Sequence, residues 1–283
     1  MRIAYQGEPG AYSEAAALVY SPHTETLSCK TFDEVFEAVV HTRATHGIVP
    51  MENSIGGTIH RNYDLLVDHD LSITGEVELD VVHCLQALPG TKIPDIRIVY
   101  SHPQALAQCE RYLKELGATV EAVYDTAGGA KLVAEQKLKD AAALSSRRAA
   151  EVFGLEVLQE AVQDFEFNIT RFFVIGGAQP TDANKTTIVF ALPSTPGSLF
   201  RALSVFALRD INLSKLESRP VRGRPWEYLF YVDIEARRDD LACGRALTHL
   251  GEFAKWTRVL GTYRGWERSK VEKQPPPGND NRR

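Results

Sequence analysis

The segment MENSIGG places a carboxylate, an amide and a hydroxyl beside two glycines. Glu52, Asn53 and Ser54 follow a short apolar run, and the glycine pair that ends at Gly57 precedes a helical pattern starting near Thr58. Glycine lets the backbone approach a ligand closely, and the N–H groups at the start of a helix favour an anion. The segment therefore predicts an anion-binding junction. Taken alone, however, the spacing favours an ordinary turn, in which the Asn and Ser side chains only cap the helix, over an anion-binding site.

A second polar segment, SHPQALAQCE, follows the predicted strand IRIVY. Ser101 and Gln104 come soon after the strand, and Gln108 lies one helical turn beyond Gln104 on the same face. These side chains could bind a ligand at the carboxyl end of the strand. They also fit a plain helix start, with Ser101 as the cap and Pro103 in the first position. Both descriptions can hold together.

The third segment, FNITRFFVIG, begins a strongly apolar strand with Thr170 and Arg171. Side chains alternate between the two faces of a strand, so only one of these two is expected to face a pocket. A surface Thr–Arg pair is the simpler alternative. The sequence has no GxSxG, no GxGxxG and no recognisable Ser/His/Asp pattern. Covalent and cofactor chemistry therefore have little support, and a cofactor-free reaction based on hydrogen bonding and positioning stays open.

These segments are positioned by alternating strands and helices over about the first 175 residues. Such alternation predicts an α/β fold with mostly parallel sheets, in which ligands bind at the carboxyl ends of strands. A linker containing Gly, Pro and Asn follows. Beyond it, the order strand, helix, strand, strand, helix, strand predicts a ferredoxin-like sandwich with one exposed sheet edge. Because an uncovered edge is a liability, this unit is expected to pair with a second copy.

The composition excludes several classes of protein. The chain has 283 residues, a net charge of −5 and 44% hydrophobic residues, which is typical of a globular protein and provides no basic face for nucleic acid. No segment is long and apolar enough for a membrane span, and the start of the chain lacks a signal-peptide pattern. Four dispersed cysteines, without CxxC or clustered His, indicate reduced thiols and no metal site. We therefore expect a cytoplasmic protein with no membrane or nucleic-acid partner.

Together and in this order, AYQGEPGAYSE, VPMENSIGGTIHRNYDLL, SHPQALAQC and NITRF resemble the signature segments of prephenate dehydratase. The distal unit, with PGSLFRAL and ESRP, resembles the phenylalanine-sensing ACT domain of that family, and GTIHRNYDLL and SHPQALAQCE also resemble plant-type arogenate dehydratases. The resemblance implies a bilobal catalytic domain similar to type II periplasmic binding proteins. It implies a catalytic domain over residues 1–178 and an ACT domain over 186–268, while the composition predicts a linker over 179–185 and a disordered tail over 269–283.

The implied reaction removes the ring hydroxyl of prephenate as water and its ring carboxylate as CO₂, giving phenylpyruvate without a cofactor. No chorismate mutase segment precedes the dehydratase segments, so a monofunctional enzyme is expected. Arogenate, with an amino group in place of the keto group, is the alternative substrate. The resemblance assigns to Thr170 hydrogen-bond assistance to the departing hydroxyl. Glu52 is expected to organise the network around Thr170, and Arg171 to supply a counter-charge. The residues implied for the site are the catalytic Thr170, Glu52, Asn53, Ser101 and Gln108 and the substrate-binding Ser54, Gly57, Arg171 and Gln104.

The resemblance also implies that L-phenylalanine binds the ACT domain at an interface between two copies and favours a less active state. The residues expected to contact it are Gly197, Ser198, Leu199, Asn212, Leu213, Glu217, Ser218, Arg219 and Pro220. A dimer through the ACT sheets is the minimum assembly, and a homotetramer follows from the resemblance. The rival interpretation is a non-catalytic amino-acid sensor, which the lack of a signal peptide and the NITRF segment disfavour.

Overall fold

The computed structural model describes residues 1–221, 223–224 and 226–267. The tail over residues 269–283, predicted to be disordered, lies outside these described residues. Within the described ranges, no helix has the length and apolar character that crossing a membrane requires.

The chain first builds most of one lobe, a sheet covered by helices. Its strands are β1 (Arg2–Gln6), β2 (Glu25–Cys29), β3 (His46–Asn53), β4 (Gly57–Thr58) and β5 (Ile73–Asp80). Its helices are α1 (Tyr12–Tyr20), α2 (Phe32–Val40) and α3 (His60–Asp68). Thr31 caps α2 by accepting a hydrogen bond from the Glu34 N–H.

The chain then builds a second lobe around a five-stranded sheet of order β10-β6-β9-β7-β8. Its strands are β6 (Cys84–Ala87), β7 (Ile98–Ser101), β8 (Thr119–Ala122), β9 (Ala141–Ser145) and β10 (Glu156–Gln159). Its helices are α4 (Pro103–Gln108), α5 (Glu110–Leu116), α6 (Thr126–Glu135) and α7 (Arg147–Phe153), with a short 3₁₀ turn at Ile93–Asp95.

Strand β11 (Ile169–Ile175) returns to the first lobe and lies between β3 and β5. It runs antiparallel to both neighbours, whereas β1 runs parallel to β2 and β3. The α/β fold is therefore confirmed, but its sheets are mixed rather than mostly parallel. The reason is that the chain crosses between the lobes twice, and the returning strand enters the first sheet in the opposite direction.

The C-terminal domain confirms the predicted ferredoxin-like order. It contains β12 (Lys185–Ala191), α8 (Ser198–Ala207), β13 (Leu213–Pro220), β14 (Tyr228–Ile234), α9 (Leu241–Gly251) and β15 (Trp256–Arg264). The sheet order is β13-β14-β12-β15, and β15 also pairs in parallel with β5. The sheet of the C-terminal domain thus continues into the sheet of the first lobe.

Aromatic side chains fill the contact between the C-terminal domain and the first lobe. Tyr63 of α3 and Tyr231 of β14 pack edge to face, with 4.9 Å between ring centroids, and both are buried. Phe173 of β11 packs in the same way on Tyr263 of β15. These contacts place the C-terminal domain against the face of β3 and β11 that lies opposite the interlobe cleft.

Candidate active site

A cavity of about 540 Å³ lies between the two lobes. The loops that follow β1, β2, β7 and β8 line it, together with residues of β3 and β11. The carboxyl ends of parallel strands therefore meet at this cavity, which is where ligands bind in folds of this class.

Asn53 of β3 and Thr170 of β11 form a hydrogen-bonded pair in the cavity wall. The side-chain oxygen Oδ1 of Asn53 accepts from the N–H groups of Ile55 (3.1 Å) and Gly56 (2.7 Å), so the side-chain nitrogen Nδ2 must face the other way. That nitrogen donates to Thr170 Oγ1 at 3.0 Å. Because the Thr170 hydroxyl already accepts this hydrogen bond, its own proton can be donated into the cavity. A hydroxyl that accepts one hydrogen bond becomes a stronger donor in the next.

A chain of amides and a histidine continues from this pair. The Asn53 amide nitrogen also donates to Asn168 Oδ1 (2.7 Å), and Asn168 Nδ2 donates to Gln108 Oε1 (2.9 Å). The same Gln108 oxygen lies 2.9 Å from His83 Nε2. With its oxygen occupied twice, Gln108 directs its amide nitrogen toward the cavity that it lines.

His83 is nearly fully buried beneath Gln108. Burial lowers its pKa by opposing the charged form, although the hydrogen bond to Gln108 acts in the other direction. In the neutral ring, donation from Nε2 to Gln108 leaves Nδ1 unprotonated; Nδ1 lies 3.0 Å from the Tyr12 hydroxyl, which also donates to the Val82 carbonyl oxygen at 2.7 Å. His83 and Tyr12 thereby fix the orientation of the Gln108 amide.

A β-bulge places Asn53 in the cavity wall. Phe172 pairs with Pro50 and Thr170 pairs with Asn53, so β3 contains one more residue than β11 between these two pairs. Without the extra residue, alternation from Pro50 would direct Glu52 to the cavity and Asn53 away from it. The structure has the reverse arrangement: Pro50 and Asn53 both line the cavity.

The cavity wall contains groups that could bind an anion, together with two carboxylates, those of Asp33 and Asp125. Lys30 is the one lysine or arginine among the described residues that line it. No side chain caps α1, whose first residues Tyr12 and Ser13 also line the cavity, so N–H groups at the start of this helix are available to an anion. The carboxylate of Asp125 lies in the same wall, and burial raises its pKa although it accepts hydrogen bonds from the Gly128 and Glu8 N–H groups.

Four of the nine residues predicted for the catalytic site line this cavity: Asn53, Gln104, Gln108 and Thr170. The structure differs from the prediction for the other five. Ser101 is fully buried and donates to the Leu144 carbonyl oxygen at 2.6 Å, which holds two strands of the second lobe together. Ser54 is exposed, and its hydroxyl donates to the Phe167 carbonyl oxygen and accepts from the Ile169 N–H. Gly57 is exposed at the start of β4.

Glu52 and Arg171 contact the C-terminal domain instead of the cavity. Glu52 Oε2 lies 2.9 Å from Lys215 Nζ. Arg171 lies 2.6 Å from carboxylate oxygens of both Glu76 and Asp233. The bulge turns Glu52 away from the cavity, and simple alternation from Thr170 does the same for Arg171, as the sequence indicated for one member of that pair.

The residues predicted to bind L-phenylalanine form two groups at opposite ends of α8. Asn212 and Leu213 follow the end of this helix. Gly197, Ser198 and Leu199 lie at its start. This end of α8 is near the C-terminal end of β13, because Ala191 at the end of β12 and Arg219 of β13 both pair with Leu229 of β14. Two side chains of the ESRP segment contact the first lobe: Glu217 accepts from Thr58 Oγ1 (2.9 Å), and Arg219 lies 2.9 Å from Asp64. Ser218 and Pro220 are exposed.

The sequence did not reveal Lys30, Tyr12, His83 or Asn168 as parts of this cavity or its support. Asn168 is the first residue of NITRF, so the motif itself contained that signal. His83 lies in the apolar run DVVHCL, where one histidine has no local pattern that would mark it. Lys30 becomes visible only when the loop after β2 is placed beside the loop after β1.

Comparisons with known proteins agree on one family. The prephenate dehydratase model matches residues 3–180, and the ACT domain model matches residues 186–242. Arogenate dehydratase/prephenate dehydratase 2 of Arabidopsis thaliana, a chloroplastic protein, is 50% identical over 276 residues, which cover 93% of this chain and 72% of the relative. Arogenate dehydratase 2 of Petunia hybrida is 50% identical over 282 residues, with coverage of 93% and 71%.

Two solved structures are similar over most of the chain. Prephenate dehydratase of Arthrobacter aurescens, in complex with L-Phe, has a TM-score of 0.85 and 31% identity and covers 97% of this chain and 92% of its own. GqqA, described as a novel type of quorum quenching acylase, has a TM-score of 0.88 and 34% identity, with coverage of 96% and 100%.

The cytoplasmic location expected from the sequence was wrong. Three Arabidopsis relatives that are 48 to 50% identical to this chain carry chloroplastic names, which points to a plastid. The expectation rested on the missing signal-peptide pattern and on dispersed cysteines. Neither feature distinguishes the cytosol from a plastid.

Proposed function

This chain belongs to the prephenate dehydratase family, and we propose that it removes water and carbon dioxide from prephenate in the cleft between its lobes, giving phenylpyruvate. The observation that carries the proposal is the Thr170 hydroxyl, which accepts a hydrogen bond from Asn53 and keeps its own proton for a group in the cavity. A departing hydroxyl group is the part of the substrate that needs such a donor.

The reaction needs positioning more than it needs a strong acid. When the carbon–carbon bond to the ring carboxylate breaks, its electrons enter the ring, and the carbon–oxygen bond to the ring hydroxyl breaks at the opposite carbon. The ring becomes aromatic, which drives the step. Thr170 donates its hydrogen bond to the oxygen as negative charge develops there, and the departing hydroxide becomes water by taking a proton from the solvent. Asn53 holds the threonine in place and polarises it.

The substrate carries two carboxylates, and the cavity offers matching donors. We assign Lys30, together with the N–H groups at the start of α1, to one carboxylate, and the amide nitrogens of Gln104 and Gln108 to orienting the substrate. Lys30 thereby takes the counter-charge role that the sequence assigned to Arg171. Leaving the ring carboxylate without a tight ionic partner would help the reaction, since that group must lose its charge as carbon dioxide.

Arogenate is the alternative substrate, and it would give L-phenylalanine directly. The decisive experiment offers purified protein each compound in turn and identifies the product by mass spectrometry. Phenylpyruvate from prephenate supports the proposal, and phenylalanine from arogenate supports the alternative. Binding of either compound without any product would favour the non-catalytic sensor. An acylase is not proposed, because the group that contacts Thr170 Oγ1 is an amide donor and not a base that could activate a nucleophile.

We also propose the domain boundaries and assembly that the resemblance implied. The catalytic domain would cover residues 1–178, the linker 179–185 and the ACT domain 186–268. The ACT domain regulates the enzyme through L-phenylalanine, and the ligand would bind between two copies. Support comes from α8: its ten residues span about 15 Å, so one small ligand cannot touch both of its ends within one copy.

The proposed dimer joins the two ACT sheets, and two dimers would form the homotetramer. The outermost strand β13 supports this, because Leu216 on it and Leu199 and Phe200 on α8 leave apolar surface exposed. Sedimentation of the wild type and of a Phe200→Glu variant tests the interface. A monomeric wild type would contradict the dimer, and an unchanged assembly in the variant would place the interface elsewhere.

A further inference from the structure

Each residue of the Asn53–Thr170 pair has a charged neighbour on the opposite face of the sheet. In the antiparallel pair of β3 and β11, Asn53 lies opposite Thr170, and Glu52 lies opposite Arg171. The first pair lines the cleft, whereas the second pair contacts the C-terminal domain. On each of the two strands, one residue that lines the cleft is therefore next to a residue that contacts the C-terminal domain, so the two sites are separated only by the sheet itself.

The contacts of Arg171 are buried and balanced in charge. Its guanidinium lies 2.6 Å from Asp233 of β14 and 2.6 Å from Glu76 of β5. Glu76 also lies 3.0 Å from Lys185 of β12. The cations Arg171 and Lys185 thus neutralise the anions Glu76 and Asp233, and both domains contribute residues to the cluster. Such a buried cluster tolerates little relative movement of its members.

Among the residues that the structure describes, Glu52 has one ionic partner, and it also comes from the C-terminal domain. Lys215 Nζ lies 2.9 Å from Glu52 Oε2 and 3.7 Å from Glu217 Oε2. Lys215 and Glu217 both belong to β13, the strand that contains the ESRP segment. A shift of β13 would therefore move Lys215 and, through the ion pair, Glu52. Because Glu52 is next to Asn53 on β3, such a shift would reach the cleft.

We propose that Glu52 and Arg171 are positioning residues. Their ion pairs with Lys215 and Asp233 let the C-terminal domain hold Asn53 and Thr170 in the reacting geometry and transmit the effect of L-phenylalanine to them. The inference rests on the proposed dehydration and differs from the expectation that Glu52 acts within the cleft. Displacing a reacting group by about 1 Å can lower the rate roughly 100-fold, so modest shifts at these positions suffice.

A charge exchange between Glu52 and Lys215 tests the proposal. The variants are Glu52→Lys, Lys215→Glu and the two together in the full-length protein, with kcat and KM measured for the substrate that the wild type converts. We expect each single variant to lower kcat about 10- to 100-fold with KM changed less than about threefold. The double variant should regain most of the activity, because the pair is restored with its ends exchanged. If Glu52 acted on the substrate, the double variant would stay inactive, and this result would overturn the proposal.

Milder substitutions cover the case in which a charge reversal prevents folding. Glu52→Gln keeps the shape of a half-exposed side chain, and Asp233→Asn does the same for the partner of Arg171. Both should lower kcat and bring the ratio of activities with and without saturating L-phenylalanine closer to one. Lys255→Met removes a surface lysine of the same domain and should change neither value. Wild-type kcat and regulation in both neutral variants would refute the inference, whereas an inactive wild type would instead refute the proposed function.

Discussion

Replacing Thr170 with valine separates catalysis from stability at one position. The variant keeps the β-branched shape and removes only the hydroxyl. Asn53 Nδ2 then loses one acceptor but retains Asn168 Oδ1 at 2.7 Å and the Ile169 carbonyl oxygen at 3.2 Å. Since no buried donor is left unpaired, the free energy of unfolding should fall by only about 1 kcal/mol. Loss of a hydrogen-bond donor to the transition state should lower kcat by about 10²- to 10³-fold, or roughly 3–4 kcal/mol.

The assay combines steady-state product formation with urea unfolding of the same preparations. Thr170→Ser, which keeps a hydroxyl, should recover most of the lost rate. Thr74→Val is a matched control, because the Thr74 hydroxyl is equally buried, donates to the Gly176 carbonyl oxygen at 2.7 Å and does not line the cavity. It should destabilise the protein by a similar amount while leaving kcat near the wild-type value. Near-normal turnover by Thr170→Val would refute the role given to this hydroxyl.

Three further predictions concern other parts of the cleft. Lys30→Met should raise KM about 10-fold or more with a smaller change in kcat, because the substrate loses a charged hydrogen-bond partner; unchanged KM would remove Lys30 from the site. In Gly56→Ala, the new Cβ would collide with Nε2 of Gln104. Steady-state kinetics should therefore show kcat/KM reduced roughly 10-fold, with unfolding in urea almost unchanged. The lowered pKa of His83 means that the unfolded chain binds its proton at higher pH than the folded protein does, so this residue makes stability rise with pH in the window just below about pH 6.5. His83→Gln should flatten that slope by up to about 1.4 kcal/mol per pH unit, as measured by urea unfolding between pH 5 and 7, and an unchanged slope would contradict the assignment.

The elements that depend on local pattern could be predicted from the sequence. The C-terminal βαββαβ unit follows from strand and helix periodicities that each need only about ten neighbouring residues. The same holds for Thr31 as a helix cap, since a cap is set by residues three positions apart. Pairing between strands that are distant in sequence was not visible at this level. That is why the antiparallel β11, inserted between β3 and β5, made the first sheet mixed rather than parallel.

Residues of the candidate site were predictable only where a motif residue also lies on the face of its strand that is directed toward the cleft. Ser101 belongs to the right segment and is the last residue of its strand. Its hydroxyl, however, points into the second lobe and donates to the Leu144 carbonyl oxygen. Glu52 was misplaced for a different reason. Its side chain would face the cleft on a regular strand, and the bulge before it depends on the register between β3 and β11, which no local pattern shows.

The two motifs MEN and TRF each combine two tasks in consecutive residues. Because neighbouring side chains on a strand lie on opposite faces, one residue of each motif reaches the cleft and the other reaches the C-terminal domain. A change at Asn53 or Thr170 alters a hydrogen bond to the reacting groups, whereas a change at Glu52 or Arg171 alters the contact between domains. Sequence similarity alone assigns all four residues to the chemistry. The register between β3 and β11 instead places Asn53 and Thr170 on one face and Glu52 and Arg171 on the other. The wall of the cleft and the contact with the C-terminal domain are therefore opposite faces of the same short segment of sheet.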